Sequence, residues 1–191
     1  MKAKSLFAAL MVAGLVSFGN ANAALTYNVN RVIATVGTVV GTITTDGTFG
    51  VLTGANVTGF SLTIDDGDGS GPFVIAQGVN AGLLNLGSLM TADIDSIDFD
   101  FSGSSGFALF ESPAPGVGQN YWCLEGTLGL LSNCLGSGVG ETVNRFGFPT
   151  FQIRSGTISI ATRDAGTVPE PASLLLAGLA LAGVAGLRRR T

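Results

Sequence analysis

The stretch from Leu25 to Thr167 reads as an all-β, antiparallel, sandwich-like domain. It is rich in Gly, Thr, Val, Ile and Phe, no part of it sustains a helical apolar period over three turns, and short apolar runs alternate with Gly, Asp and Ser turns. Eight to ten short strands at that spacing suit two stacked antiparallel sheets.

The runs can be taken in order. Val39 to Thr45 and Thr48 to Leu52 flank Asp46-Gly47, a pair that accepts positive φ, and predict a hairpin. Asn56 to Ile64 predicts a strand ended by the acidic Gly-rich turn Asp65 to Gly71, and Phe73 to Gln77 predicts its continuation. Leu83 to Met90 fits a strand or a short helical turn. Ile94 to Phe101 and Gly106 to Glu111 predict a pair around Ser102-Gly103-Ser104-Ser105, and Phe148 to Ile153 with Gly156 to Thr162 predict the last strands. Along Asp93-Ile94-Asp95-Ser96-Ile97-Asp98-Phe99-Asp100-Phe101 acids alternate with apolar residues except for a slip at Ser96-Ile97, which a bulge would absorb.

The two ends have a different character. Met1 to Ala23 has Lys2 and Lys4, an apolar run from Leu6 to Phe18, and Ala21-Asn22-Ala23, the small-x-small pattern of a signal-peptidase site. Cleavage between Ala23 and Ala24 leaves an exported domain over residues 24–163, about 145 residues with its tail linker, which is the size of one domain. Asp164-Ala165-Gly166-Thr167 reads as a short polar linker. Val168-Pro169-Glu170-Pro171 then precedes Ala172 to Leu187, built of Ala, Leu, Gly, Val and one Ser, followed by Arg188-Arg189-Arg190. The prolines bar a regular helix at the entrance, whereas the run after them suits a single short transmembrane helix. Residues 172–187 rise about 24 Å as a helix, against a hydrocarbon core of about 30 Å. The three arginines stay on the cytoplasmic side by the positive-inside rule, as do Lys2 and Lys4, so the middle is outside.

Residues 168–191, with Val168-Pro169-Glu170-Pro171, an apolar segment and the terminal Arg cluster in that order, resemble the PEP-CTERM sorting signal of Gram-negative bacteria. The resemblance implies a protein exported through the inner membrane, anchored in it transiently, and recognised by an exosortase, a membrane-embedded cysteine protease. That enzyme would process the chain near Pro169-Glu170-Pro171 and pass it to the cell surface or medium. It further implies an association with exopolysaccharide, biofilm or extracellular matrix, and makes this protein the substrate of an enzyme.

Within the exported part four arginines, Arg31, Arg145, Arg154 and Arg163, stand against twelve acids, so its balance is 4 − 12 = −8. That argues against nucleic acid as a partner. Histidine is absent from the whole chain, which removes Ser-His-Asp and Cys-His catalysis and histidine-bound zinc. Paired-carboxylate glycosidase chemistry needs only two acids, but no feature selects a pair, and the expectation is a protein that is not an enzyme. Cys123 and Cys134 are the only cysteines, both exported, and predict a disulfide. Asp66-Gly67-Asp68-Gly69-Ser70-Gly71 matches the first half of a calcium loop, with Asp66, Asp68 and Ser70 as candidate ligands. Position 12 of such a loop is Gln77, not Glu, so the same residues also read as a solvated turn between strands, and no cofactor is required. Tyr121 and Trp122 offer either a sugar-stacking platform, which would make the domain a carbohydrate- or calcium-binding module on a plain anchor, or ordinary packing. Asn56-Val57-Thr58 fits an N-glycosylation sequon.

Overall fold

The computed structural model describes residues 23–104, 106–113, 120–127, 139–145 and 148–163. Their regular structure is β throughout, apart from a single 3-10 turn at Gly54–Asn56. The strands are β1 (Leu25–Ile33), β2 (Gly37–Thr45), β3 (Gly50–Val51), β4 (Val57–Asp65), β5 (Phe73–Ala76), β6 (Gly82–Leu86) and β7 (Met90–Ala92). They continue with β8 (Ser96–Asp100), β9 (Phe107–Ser112), β10 (Asn120–Glu125), β11 (Gly140–Arg145), β12 (Phe148–Ile153) and β13 (Thr157–Thr162). Eight form one sheet in the order β3-β7-β8-β13-β1-β2-β4-β5, and five form the other in the order β12-β11-β10-β9-β6. Every ladder between these strands is antiparallel.

Alternation puts Leu25, Tyr27, Val29 and Ile33 of β1 on the inner face and Thr26, Asn28, Asn30 and Val32 on the exposed one. β4 does the same with Val57, Phe60, Leu62 and Ile64. Facing them, Ala108 and Phe110 of β9, Trp122 and Leu124 of β10, and Val143 of β11 complete one core. Phe60 meets Phe110 edge to face at 5.2 Å, and Phe110 stacks on Trp122 at 5.0 Å, so an aromatic column joins the sheets. Each of these fully buried side chains stabilises the fold by about 1.5–3 kcal/mol. The opposite face of the five-stranded sheet is buried too, with Phe107, Leu109, Tyr121 and Cys123 in a second cluster and the polar Glu111, Glu125, Thr142 and Asn144 beside them.

The larger sheet is strongly curled. Five strand spacings separate β2 from β3 in its order, about 24 Å in a flat sheet, whereas the five residues from Thr45 to Gly50 span at most about 18 Å. The two halves of that sheet meet at β13 and β1, where the register holds a single pair, Asn28↔Thr162.

Several expected pairings are corrected. The residues around Asp46-Gly47 do not close a hairpin, because both edges of β2 are already taken by β1 and β4, and β3 pairs with β7 instead. Asp46 still makes the turn, accepting from Thr48 N through Oδ1, and the chain leaves the sheet there. The tight hairpin is β1–β2, turning through Ala34 and Thr35 with φ of 48° and 71°. The predicted pair Ile94 to Phe101 and Gly106 to Glu111 is divided between the two sheets, as are the last two predicted strands. The slip at Ser96-Ile97 is the end of a turn and not a bulge: β8 begins at Ser96, and Asp93 Oδ1 accepts from Asp95 N and Ser96 N. The register shift lies in the partner strand, between Ser159 and Ala161.

Candidate functional site

Two regions carry the candidate chemistry, the acidic loop after β4 and the C-terminal tail. In the loop, Gly67, Gly69 and Gly71 all take positive φ, so an acid or serine alternates with left-handed glycines. A Cβ at Gly67 would stand 2.7 Å from Val36 Cβ, which leaves no room for a side chain there. Each acid turns the backbone on itself: Asp65 Oδ1 accepts from Gly67 N at 2.9 Å, Asp66 Oδ1 from Asp68 N at 3.2 Å, and Asp68 Oδ1 from Ser70 N at 2.7 Å. Ser70 Oγ donates to Asp68 Oδ2 at 2.8 Å.

The loop is tied to the smaller sheet at both ends. Thr150 Oγ1 of β12 donates to the Asp66 carbonyl. Arg145 of β11 donates from Nη1 to the carbonyls of Ser70, at 2.9 Å, and Gly71, and its guanidinium lies over the Phe73 ring. Asp66 itself is 1% exposed and its Oδ2 has no hydrogen-bond donor. Burial pushes its carboxyl up, and the neighbouring Asp68 carboxylate adds to the shift. Asp68 is exposed; the N–H and hydroxyl of Ser70 hold its carboxyl below the usual range, and Arg145 contributes.

The aromatic platform is overturned. Trp122 is fully buried between the sheets, Tyr121 points to the other face of β10, and Trp122 Nε1 donates to Glu141 Oε1 at 3.1 Å. Asn56 is likewise engaged, accepting from Thr53 N and Oγ1 and donating to Asp46 Oδ2.

Sequence reasoning missed the group around Glu141, whose side chain is wholly buried on β11. Arg31 donates to it from Nε and Nη2 at 3.1 and 2.8 Å, and Arg154 from Nε and Nη2 at 3.1 and 2.9 Å. Two of the four exported arginines thus converge on one of twelve acids, and only the short strand pattern Gly140 to Arg145 could have pointed to an inward Glu. Glu111 and Glu125 share the outer face of the smaller sheet but sit two rows apart, about 14 Å along neighbouring strands.

Ala23 and Ala24 are exposed and directly precede β1, so cleavage between them would leave one residue ahead of the first strand. Cys123 lies on central strand β10, fully buried, in a stretch for which the sequence predicted no strand, and no cysteine among the described residues is free. Cys134, the linker 164–167, Val168, Pro169, Glu170, Pro171, the apolar run 172–187 and Arg188, Arg189 and Arg190 lie outside the described residues, as do residues 1–22. Among the described residues no helix is long and apolar enough to cross a membrane, and no group of three His, Cys, Asp or Glu could hold a metal.

Comparison with curated proteins and with solved structures gives no match. Comparison with protein families gives one, over the segment that carries the Pro-Glu-Pro triplet, the apolar run and the terminal arginines: residues 167–190 of this chain are a PEP-CTERM protein-sorting motif.

Proposed function

We propose that the protein is an exported, surface-sorted, non-enzymatic β-sandwich that is held in the inner membrane by residues 172–187, processed near Pro169-Glu170-Pro171 by an exosortase, and delivered to an exopolysaccharide, biofilm or other extracellular matrix. The observation that carries the reading is the sorting motif over residues 167–190. The signal-peptide pattern ending at Ala23 agrees with it, since both signals direct the same middle segment across the same membrane. The absence of histidine from the sequence supports a non-enzymatic role.

The test is the intact mass of the protein recovered from the cell surface or medium, for the natural chain and for a variant with Pro169, Glu170 and Pro171 replaced by alanine. Sorting predicts a natural form that begins near Ala24 and ends near Pro169 to Pro171, and a variant that keeps the tail. Retention of residues 172–191 in the membrane by both forms would reduce the tail to a plain anchor.

A further inference from the structure

A buried carboxylate with one oxygen lacking a donor is a costly arrangement, since an unanswered charge away from water loses several kcal/mol of solvation. Asp66 is in that state: Oδ1 receives one N–H, from Asp68, and Oδ2 receives none. The Asp68 side chain lies within hydrogen-bonding reach of it, a contact between two acids that holds only with a proton or a cation between them. Arg145 does not answer that oxygen in the structure. Its Nη1 donates to the carbonyls of Ser70 and Gly71, and its guanidinium covers Phe73, which places it at the downstream half of the loop.

We infer that the upstream half of this loop is a divalent-cation site of the calcium class, with Asp66 Oδ2 and Asp68 Oδ2 as its charged ligands and Ser70 Oγ as a neutral one. The chemistry is that of a hard cation taking oxygen ligands of mixed charge, with water completing the shell. Two carboxylates neutralise a doubly charged ion, and the three residues are already joined in series without the helices of an EF-hand, Asp68 N donating to Asp66 Oδ1 and Ser70 Oγ to Asp68 Oδ2. Arg145 and Thr150 hold the loop to β11 and β12 before any ion arrives, so binding orders little chain and the ion stabilises the junction of the two sheets. The site does not depend on how the tail is processed.

The experiment is thermal unfolding of the protein recovered from cells, stripped with a chelator and titrated with calcium chloride or magnesium chloride, for the natural chain, Asp66→Asn and Asp68→Ala. Asp68 is exposed, so its truncation leaves the core untouched, and emission from buried Trp122 checks that each variant is folded. The expected result is a saturable rise in the midpoint with calcium, half-complete at about 0.1–1 mM as in extracellular modules. The rise should be weaker with magnesium, lost in Asp66→Asn, and shifted at least tenfold to higher concentration in Asp68→Ala. No saturable response in the natural chain, or an equal response in all three proteins, would overturn the site. A natural chain that ignores calcium but gains stability on mild acidification would mean that Asp66 is answered by a proton alone, which also overturns it.

Discussion

Arg31 on β1 and Glu141 on β11 meet across the two sheets through paired contacts of 3.1 and 2.8 Å, and Arg154 closes on the same carboxylate from the end of β12. The guanidiniums are also spent on backbone, Arg31 on the Ser159 carbonyl and Arg154 on that of Val32, so β1, β11, β13 and the end of β12 are tied at one point. The Glu141 side chain is fully screened from water, and Trp122 Nε1 supplies a further donor. Removing the carboxylate would leave two arginines and an indole N–H without their acceptor. Glu141→Ala should therefore cost about 3–5 kcal/mol, read as a lower urea midpoint. A loss below about 1 kcal/mol, the scale of an exposed ion pair, would show that the cluster is not buried in solution.

The turn between β1 and β2 suggests a change of the opposite sign. Thr35 has φ of 71°, a left-handed conformation that a β-branched side chain adopts at a cost of about 1–2 kcal/mol. Asn tolerates that region through local hydrogen bonding, so Thr35→Asn should raise stability by about 1 kcal/mol. An unchanged or lowered urea midpoint would mean that the strain is relieved some other way. Ala34 N already donates to Gln152 Oε1 of β12 at 3.0 Å, so the turn's position is fixed from outside.

That turn also explains how much of the fold was legible. The class of fold, and the strands β4, β5, β12 and β13, follow from alternation and turn residues, because each is a local pattern. Ala34-Thr35-Val36 carries no turn signature at all, and the residues turn there because nine pairs between β1 and β2 outweigh the local cost. Asp46-Gly47 carries a strong signature and makes a turn, yet closes no hairpin, because partner choice is decided by the whole sheet. β10 and β11 were invisible for another reason: Cys123 and Glu125 look like parts of a loop until both faces of the sheet prove to be buried. The sorting motif was legible in full, since it is defined by the linear order of its residues, whereas Arg31 and Arg145 gained their roles only through contacts 110 and 75 positions away.

Asp93 predicts a weakening of the fold in acid. Its carboxyl is held below the usual range first by the Asp95 N–H, then by that of Ser96, in the turn that starts β8, while its own carbonyl accepts from Tyr27 Oη at 2.6 Å. A depressed carboxyl stabilises the fold fully above its unfolded value, near 3.9, and that contribution is lost as pH falls through the lower folded value. Asp46, held down by the Thr48 N–H and then the Asn56 amide, acts in the same direction. The urea midpoint should thus fall as pH drops below about 4. Asp93→Asn, which keeps an acceptor but cannot titrate, should flatten that fall while lowering the midpoint at pH 7. An acid limb of unchanged slope in Asp93→Asn would assign the effect to other groups.

Cys123 gives the prediction most closely tied to export. We propose that it pairs with Cys134, the only other cysteine of the chain, as suits an oxidising compartment. The sulfur-bearing residue is fully buried on β10, beside Leu109 and Thr142 in the register, so the bond would fasten the following segment to the middle of the smaller sheet. Closing a loop of about twelve residues is worth about 3 kcal/mol in the chain-entropy model. Cys134→Ser should lower the unfolding free energy by that amount, read as a lower urea midpoint, and the same loss should follow when the natural protein is unfolded under reducing conditions. Reductant should have no effect on Cys134→Ser. If thiol alkylation under denaturing, non-reducing conditions labels both cysteines of the exported natural protein, the pairing is wrong and Cys123 is only a small apolar residue of the core.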